Sequence, residues 1–161
     1  MCYDNSQEAI DQRKAFLIKY NIGVCDIVES AERTKIDASD IGMQNIKLRD
    51  IIGYLKQYPN IDTLLFTGGN SKNGPEYFFR KHIRDYDLKL KLVSNETPRV
   101  HEFELNCHTE RSRSVKTISL TSSSGAANIS ISRNPLYKQL KAKNSNFNTF
   151  DFRVMQYREF F

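Results

Sequence analysis

Apolar residues recur along this chain at two different periods, and the way the periods alternate predicts helices interleaved with strands. In residues 5–20, Ile10, Phe16, Leu17 and Tyr20 fall near helical spacing. Asn5 followed by Glu8 has the form of a capping box, and Asn21-Ile22-Gly23 supplies the stop. Residues 24–28 are short and rich in β-branched side chains, which predicts a buried strand interrupted by one carboxylate, Asp26. A polar stretch over 29–45 follows, longer than most strand-to-helix connections. Ile46, Ile51, Ile52 and Leu55 then predict a helix over 46–57, ended by Tyr58-Pro59-Asn60, before a strand over 61–67.

A glycine-rich turn, Gly68-Gly69-Asn70-Ser71-Lys72-Asn73-Gly74, leads into Pro75 and Glu76, which suit the first turn of a third helix reaching about residue 85. Helix and strand in repeated succession argue for a parallel sheet. Residues 88–93 alternate at period two and 100–105 offer a further short strand, together predicting a hairpin-like excursion or lid. Another strand is expected over 116–120, then a loop of very small side chains over 121–128. Helices follow at about 134–143 and 149–161, the last with Phe150, Val154, Tyr157 and Phe161 on one packed face.

Composition narrows the class. With 161 residues and 39% hydrophobic content there is enough apolar material for one core, so residues 1–161 read as a single domain. No apolar run approaches the ~18 residues of a membrane span, and the first residues lack the basic-then-apolar order of a secretory signal. The three cysteines, Cys2, Cys25 and Cys107, are far apart and form no C-x-x-C pair. A reducing, cytoplasmic setting with no metal and no cofactor is the expectation. Lys and Arg number 24 against 19 Asp and Glu, a net charge of +5. Part of the excess clusters at Arg80, Lys81, Arg84, Lys89 and Lys91, and part at Arg111-Ser112-Arg113-Ser114-Val115-Lys116, while the polar stretch Asn106-Cys107-His108-Thr109-Glu110-Arg111-Ser112-Arg113-Ser114 reads as an insertion into a connecting loop. Such patches suit either a polyanionic partner or a solvated face.

In an open parallel sheet, ligands bind beyond the carboxyl ends of the strands, so Asp26, the 67–74 turn and the 121–128 loop are expected to converge. Serines and a glycine in the third segment offer hydroxyls and unobstructed backbone N–H groups to phosphate oxygens. The 68–74 turn fits neither G-x-x-x-x-G-K-[ST] nor G-x-G-x-x-G, which ranks a nucleotide-binding enzyme last. His82, His101 and His108 accompany no nucleophile signature and read as surface or structural residues.

Three segments, in order, resemble the uracil-DNA glycosylase superfamily, in particular its mismatch-specific and hypoxanthine-type bacterial branch. They are Gly23-Val24-Cys25-Asp26-Ile27-Val28 with the following Ala31-Glu32-Arg33 and Asp37-Ala38-Ser39; Leu64-Leu65-Phe66-Thr67-Gly68-Gly69-Asn70; and Leu120-Thr121-Ser122-Ser123-Ser124-Gly125-Ala126-Ala127-Asn128. The resemblance covers most of residues 20–161. It implies a three-layer α/β/α fold with a central, mostly parallel sheet, acting as a monomer on double-stranded DNA by flipping a damaged or mispaired base and hydrolysing its N-glycosidic bond. By the same analogy Asp26, Thr67 and Asn70 read and enclose the base, while Ser122, Ser123, Ser124 and Gly125 press on DNA phosphates.

The family's first strand and its water-orienting motif have no counterpart before Gly23, so the domain is expected to be N-terminally incomplete and the catalytic residue stays unassigned. The alternative is a non-catalytic relative that keeps DNA affinity without hydrolysis.

Overall fold

A computed structural model describes residues 4–33, 42–69, 71–106 and 112–160. In chain order the elements are α1 (Gln7–Lys19), β1 (Val28–Arg33), β2 (Met43–Leu48), α2 (Ile51–Gln57), β3 (Thr63–Phe66) and α3 (Pro75–His82), which tightens into a 3-10 turn (Ile83–Tyr86). β4 (Lys91–Ser94), β5 (Arg99–Asn106), β6 (Ser112–Ser119), α4 (Gly125–Arg133), α5 (Pro135–Lys143) and α6 (Thr149–Arg158) follow. The chain is a mixed α/β protein. Among the described residues no helix is long and apolar enough to cross a membrane.

The main sheet has the order β3-β6-β5-β4, and only the β3–β6 pair is parallel. The sheet is therefore mixed, not mostly parallel. The difference comes from residues 88–105. Their strands are not an excursion or lid but two of the four strands of the sheet, because eight-residue β5 pairs along its whole length with β6. Of the stretch read as an insertion, residues 107–111 lie outside the described residues, Asn106 ends β5, and Ser112, Arg113 and Ser114 open β6. There the Arg113 guanidinium donates to the Leu55 carbonyl at 2.7 Å and the Ile61 carbonyl at 2.5 Å, tying the end of α2 to the start of β3. Arg111 lies outside the described residues.

Alternation along β5 and β6 fixes which side chains share a face. Arg99, His101, Phe103 and Leu105 stand opposite Ser119, Thr117, Val115 and Arg113. The main core gathers Phe103, Leu105 and Val115 with Ile51, Ile52 and Leu55 of α2 and with Phe79. The Phe79 ring lies 5.2 Å from Phe66 and 5.7 Å from Phe103. A smaller cluster of Ile131, Tyr137 and Phe152 joins α4, α5 and α6.

Local chemistry moved several other boundaries. Residues 24–28 form no buried strand: Val24 is 77% exposed, and the ladder starts at Val28 in an antiparallel hairpin with β2. That hairpin takes in both ends of the expected polar loop, residues 29–33 and 43–45. Of that stretch, residues 34–41 lie outside the description. α2 begins at Ile51 and not at residue 46, because Asp50 caps it by accepting from the Gly53 N–H at 2.8 Å, which leaves Ile46 in β2. Ser6, not Asn5, caps α1 through the Ala9 N–H. The small-residue loop is shorter than expected, because the Ser124 side chain caps α4 from residue 125 onward. On α6 the buried side chains are Phe152 and Gln156, whereas Phe150 is exposed, so the inward face is rotated from the predicted one, of which Phe161 lies outside the described residues.

Candidate functional site

β3 and β6 run parallel, so their carboxyl ends place two turns side by side. The first, residues 67–74, is packed by backbone contact. Asn73 is buried with a left-handed φ of 63°, and the Gly74 N–H donates to the Ser71 carbonyl at 2.8 Å. A Cβ on Gly74 would stand 2.6 Å from the Gly69 carbonyl oxygen, so only glycine closes this turn without a shift. A Cβ on Gly68 would stand 3.1 Å from the Pro75 ring and 4.0 Å from the Ser122 Cβ, which marks where the two turns meet.

The second turn, residues 121–124, is held from beneath by α6. Thr121 donates through both its N–H and its hydroxyl to Gln156 Oε1, at 3.1 and 3.0 Å. Arg153 donates to the carbonyls of Ser122 at 2.8 Å and Ser124 at 3.3 Å, and to Asn128 Oδ1 at 2.6 Å. A peptide's C=O and N–H point in opposite directions. Carbonyls drawn toward Arg153 therefore leave the N–H groups of Ser123 and Gly125 directed away from α6. Ser123, Ser124 and Gly125 are exposed, Ser122 is half-buried, and a Cβ on Gly125 would meet nothing within 4 Å.

Asp26 lies apart from the serine turn but shares the first turn with it. An open cleft of about 350 Å³ is bounded by Asp26, Glu29, Ser30 and Arg33 on one side and by Asn73, Pro75 and Phe78 on the other. The exposed Asp26 carboxylate takes no hydrogen bond from the described residues, while its carbonyl accepts from Arg49 Nε at 3.0 Å. Glu29 is bonded to Lys47 at 2.8 Å, which holds its carboxyl below the usual range. Thr67 is exposed at the end of β3 and does not line this cleft, nor do Ser122, Ser123, Ser124 or Gly125. Asn70 lies outside the described residues. Among the described residues no three His, Cys, Asp or Glu side chains gather as a metal site.

Below both turns is a feature the sequence reading did not single out. Glu76, in the first turn of α3, is fully buried. Its Oε1 accepts from Arg80 at 2.8 Å, and its Oε2 accepts from Arg99 at 2.5 Å and from the Ser119 hydroxyl at 2.7 Å. Burial works to raise the Glu76 carboxyl, but the hydrogen bonds from Ser119, Arg99 and Arg80 outweigh it and the group stays ionised. Arg80 also donates to His101 Nε2 at 2.7 Å. Burial and then the Arg80 charge hold His101 below its usual range, so it is neutral at pH 7. The sequence carried a signal for this cluster: Glu76, Phe79 and Ile83 share one helical stripe, so a carboxylate stands among buried apolar residues. Arg153 and Gln156 gave no comparable signal.

No protein-family model matches the chain, and no curated protein or solved structure matches it either.

Proposed function

We propose that this chain is a DNA-binding protein of uracil-DNA glycosylase type, in a three-layer α/β/α arrangement, that excises a damaged or mispaired base. The observation that carries the reading is the shared 68–75 turn, which touches Ser122 at one end and forms a wall of the Asp26 cleft at the other. A strand whose phosphates rest on Ser122, Ser123, Ser124 and Gly125 could extend one base around that turn. The cleft volume falls within the range of small-molecule sites, and Asp26 offers an acceptor to the N–H groups on a base edge.

The reading requires no metal or cofactor, because fixed dipoles and the DNA phosphates stabilise a sugar cation and a departing base anion. The protein acts as a monomer in the cytoplasm.

Excess protein incubated with duplexes containing uracil or hypoxanthine is expected to release free base, and Asp26→Ala to abolish the release. Salt-sensitive binding without product would replace excision by the non-catalytic alternative, since each neutralised phosphate contributes a slope of about −0.9 in log K against log salt. Neither binding nor product would end both readings.

A further inference from the structure

The cluster around Glu76 contains more cationic charge than it neutralises. One carboxylate faces two guanidiniums, and neutral His101 adds none, so the group keeps a net positive charge beneath the sheet-end turns. It is also short of acceptors. Arg99 Nε and His101 Nδ1, both enclosed, find no partner among the described residues. Glu76 already accepts from Arg80 on one oxygen and from Arg99 and Ser119 on the other, so it has no further acceptor to offer their remaining N–H groups.

Both side chains nevertheless reach solvent. The Arg80 and Arg99 side chains are 31% and 32% exposed, although the carboxylate that orients them is fully buried. Because they bond opposite oxygens of one carboxylate, the two forks are fixed close together before any ligand arrives. Paired, pre-oriented guanidiniums match the geometry of a tetrahedral oxyanion better than separate lysines do.

We propose that Arg80 and Arg99 form a binding site for a phosphate group. Arg99 pairs across the sheet with Ser119, three residues before Ser122. Three extended residues span roughly 10 Å, so the site lies within a nucleotide or two of the serine turn. The phosphate therefore belongs either to a DNA strand already resting on that turn or to a free phosphate compound. Phosphate binding here does not depend on base excision and can be tested without it.

The first measurement is thermal unfolding in inorganic phosphate against chloride at equal ionic strength and pH. Phosphate at tenfold above its Kd is expected to raise Tm by about 4 °C. Arg80→Gln is expected to lose that rise while still folding, because Arg99 and Ser119 continue to hold Glu76. NMR of the wild-type protein gives a second readout independent of variant stability, with saturable shifts of the Arg80 and Arg99 Nε–H resonances expected on phosphate titration.

DNA binding separates the two sources. A fall of about one in the salt slope for Arg80→Gln assigns the phosphate to DNA, whereas an unchanged slope with loss of the phosphate-induced Tm rise assigns it to a free phosphate compound. Equal Tm in phosphate and chloride, with unmoved arginine resonances, would overturn the proposal.

Discussion

The turns after β3 and β6 lie in contact but are held by opposite means. Residues 68–74 are fixed by close backbone approach, with Gly74 against the Gly69 carbonyl and Asn73 in the left-handed region. Residues 121–124 are fixed by the long polar side chains of Arg153 and Gln156 reaching up from α6. A turn closed by steric fit fails abruptly when one atom is added, whereas a turn held by several partly exposed hydrogen bonds weakens by degrees. Glu76 joins the two, since it sits in the helix that follows the first turn and accepts from Ser119 in the strand that leads to the second.

The largest effect is therefore expected where both turns depend on one group. Glu76→Ala leaves two guanidiniums without their counter-charge and should cost about 3 kcal/mol, measured by urea unfolding. The same carboxylate sets a pH dependence. Its folded pKa lies below the ordinary 4.5, so its contribution is present above that value and disappears as pH falls through the lower folded one. The neutral, buried His82 and His101, both held below 6.5, act in the same direction at higher pH, so stability should begin to decline as pH drops below about 6.5. A flat profile of unfolding free energy between pH 6.5 and 4.5 would contradict the histidine assignment, and a flat profile below pH 4.5 that of Glu76.

Gly74→Ala isolates the steric turn. Its Cβ has nowhere to go without moving backbone, and a loss of about 2 kcal/mol is expected from the same unfolding measurement. Arg153→Ala isolates the polar one. It removes donors to two carbonyls and the Asn128 side chain, several of them near solvent, and should cost about 1 kcal/mol. On the proposed function it should also weaken DNA affinity, because the outward set of the Ser123 and Gly125 N–H groups is lost. Gly125→Ala is the smallest change, within about 0.5 kcal/mol, since a side chain there meets open space. A large loss at Gly125 with none at Gly74 would reverse the comparison.

Much of the element order was legible from local pattern. α3 begins at Pro75 as its proline and acidic first turn suggested, β3 and β6 fall within or overlap their expected spans, and α5 and α6 begin within a residue of expectation. The capping residues explain the errors at helix starts, because several polar side chains near each boundary compete and packing selects among them. Asp50 and Ser124 won those contests, and neither was identifiable from spacing alone.

The candidate site divides in the same way. The sequence by itself marked Asp26, the glycine-rich turn and the serine cluster, because residue type and local spacing carry that information. Only the tertiary structure decided that Ser122 meets Gly68, that Asp26 shares a cleft with Asn73, and that Glu76 gathers Arg80, Arg99 and Ser119. The order and direction of the strands also came from folding alone. Strand pairing is a long-range choice among nearly equivalent edges, and the period-two pattern that identifies a strand contains nothing about which neighbour it joins or in which direction it runs.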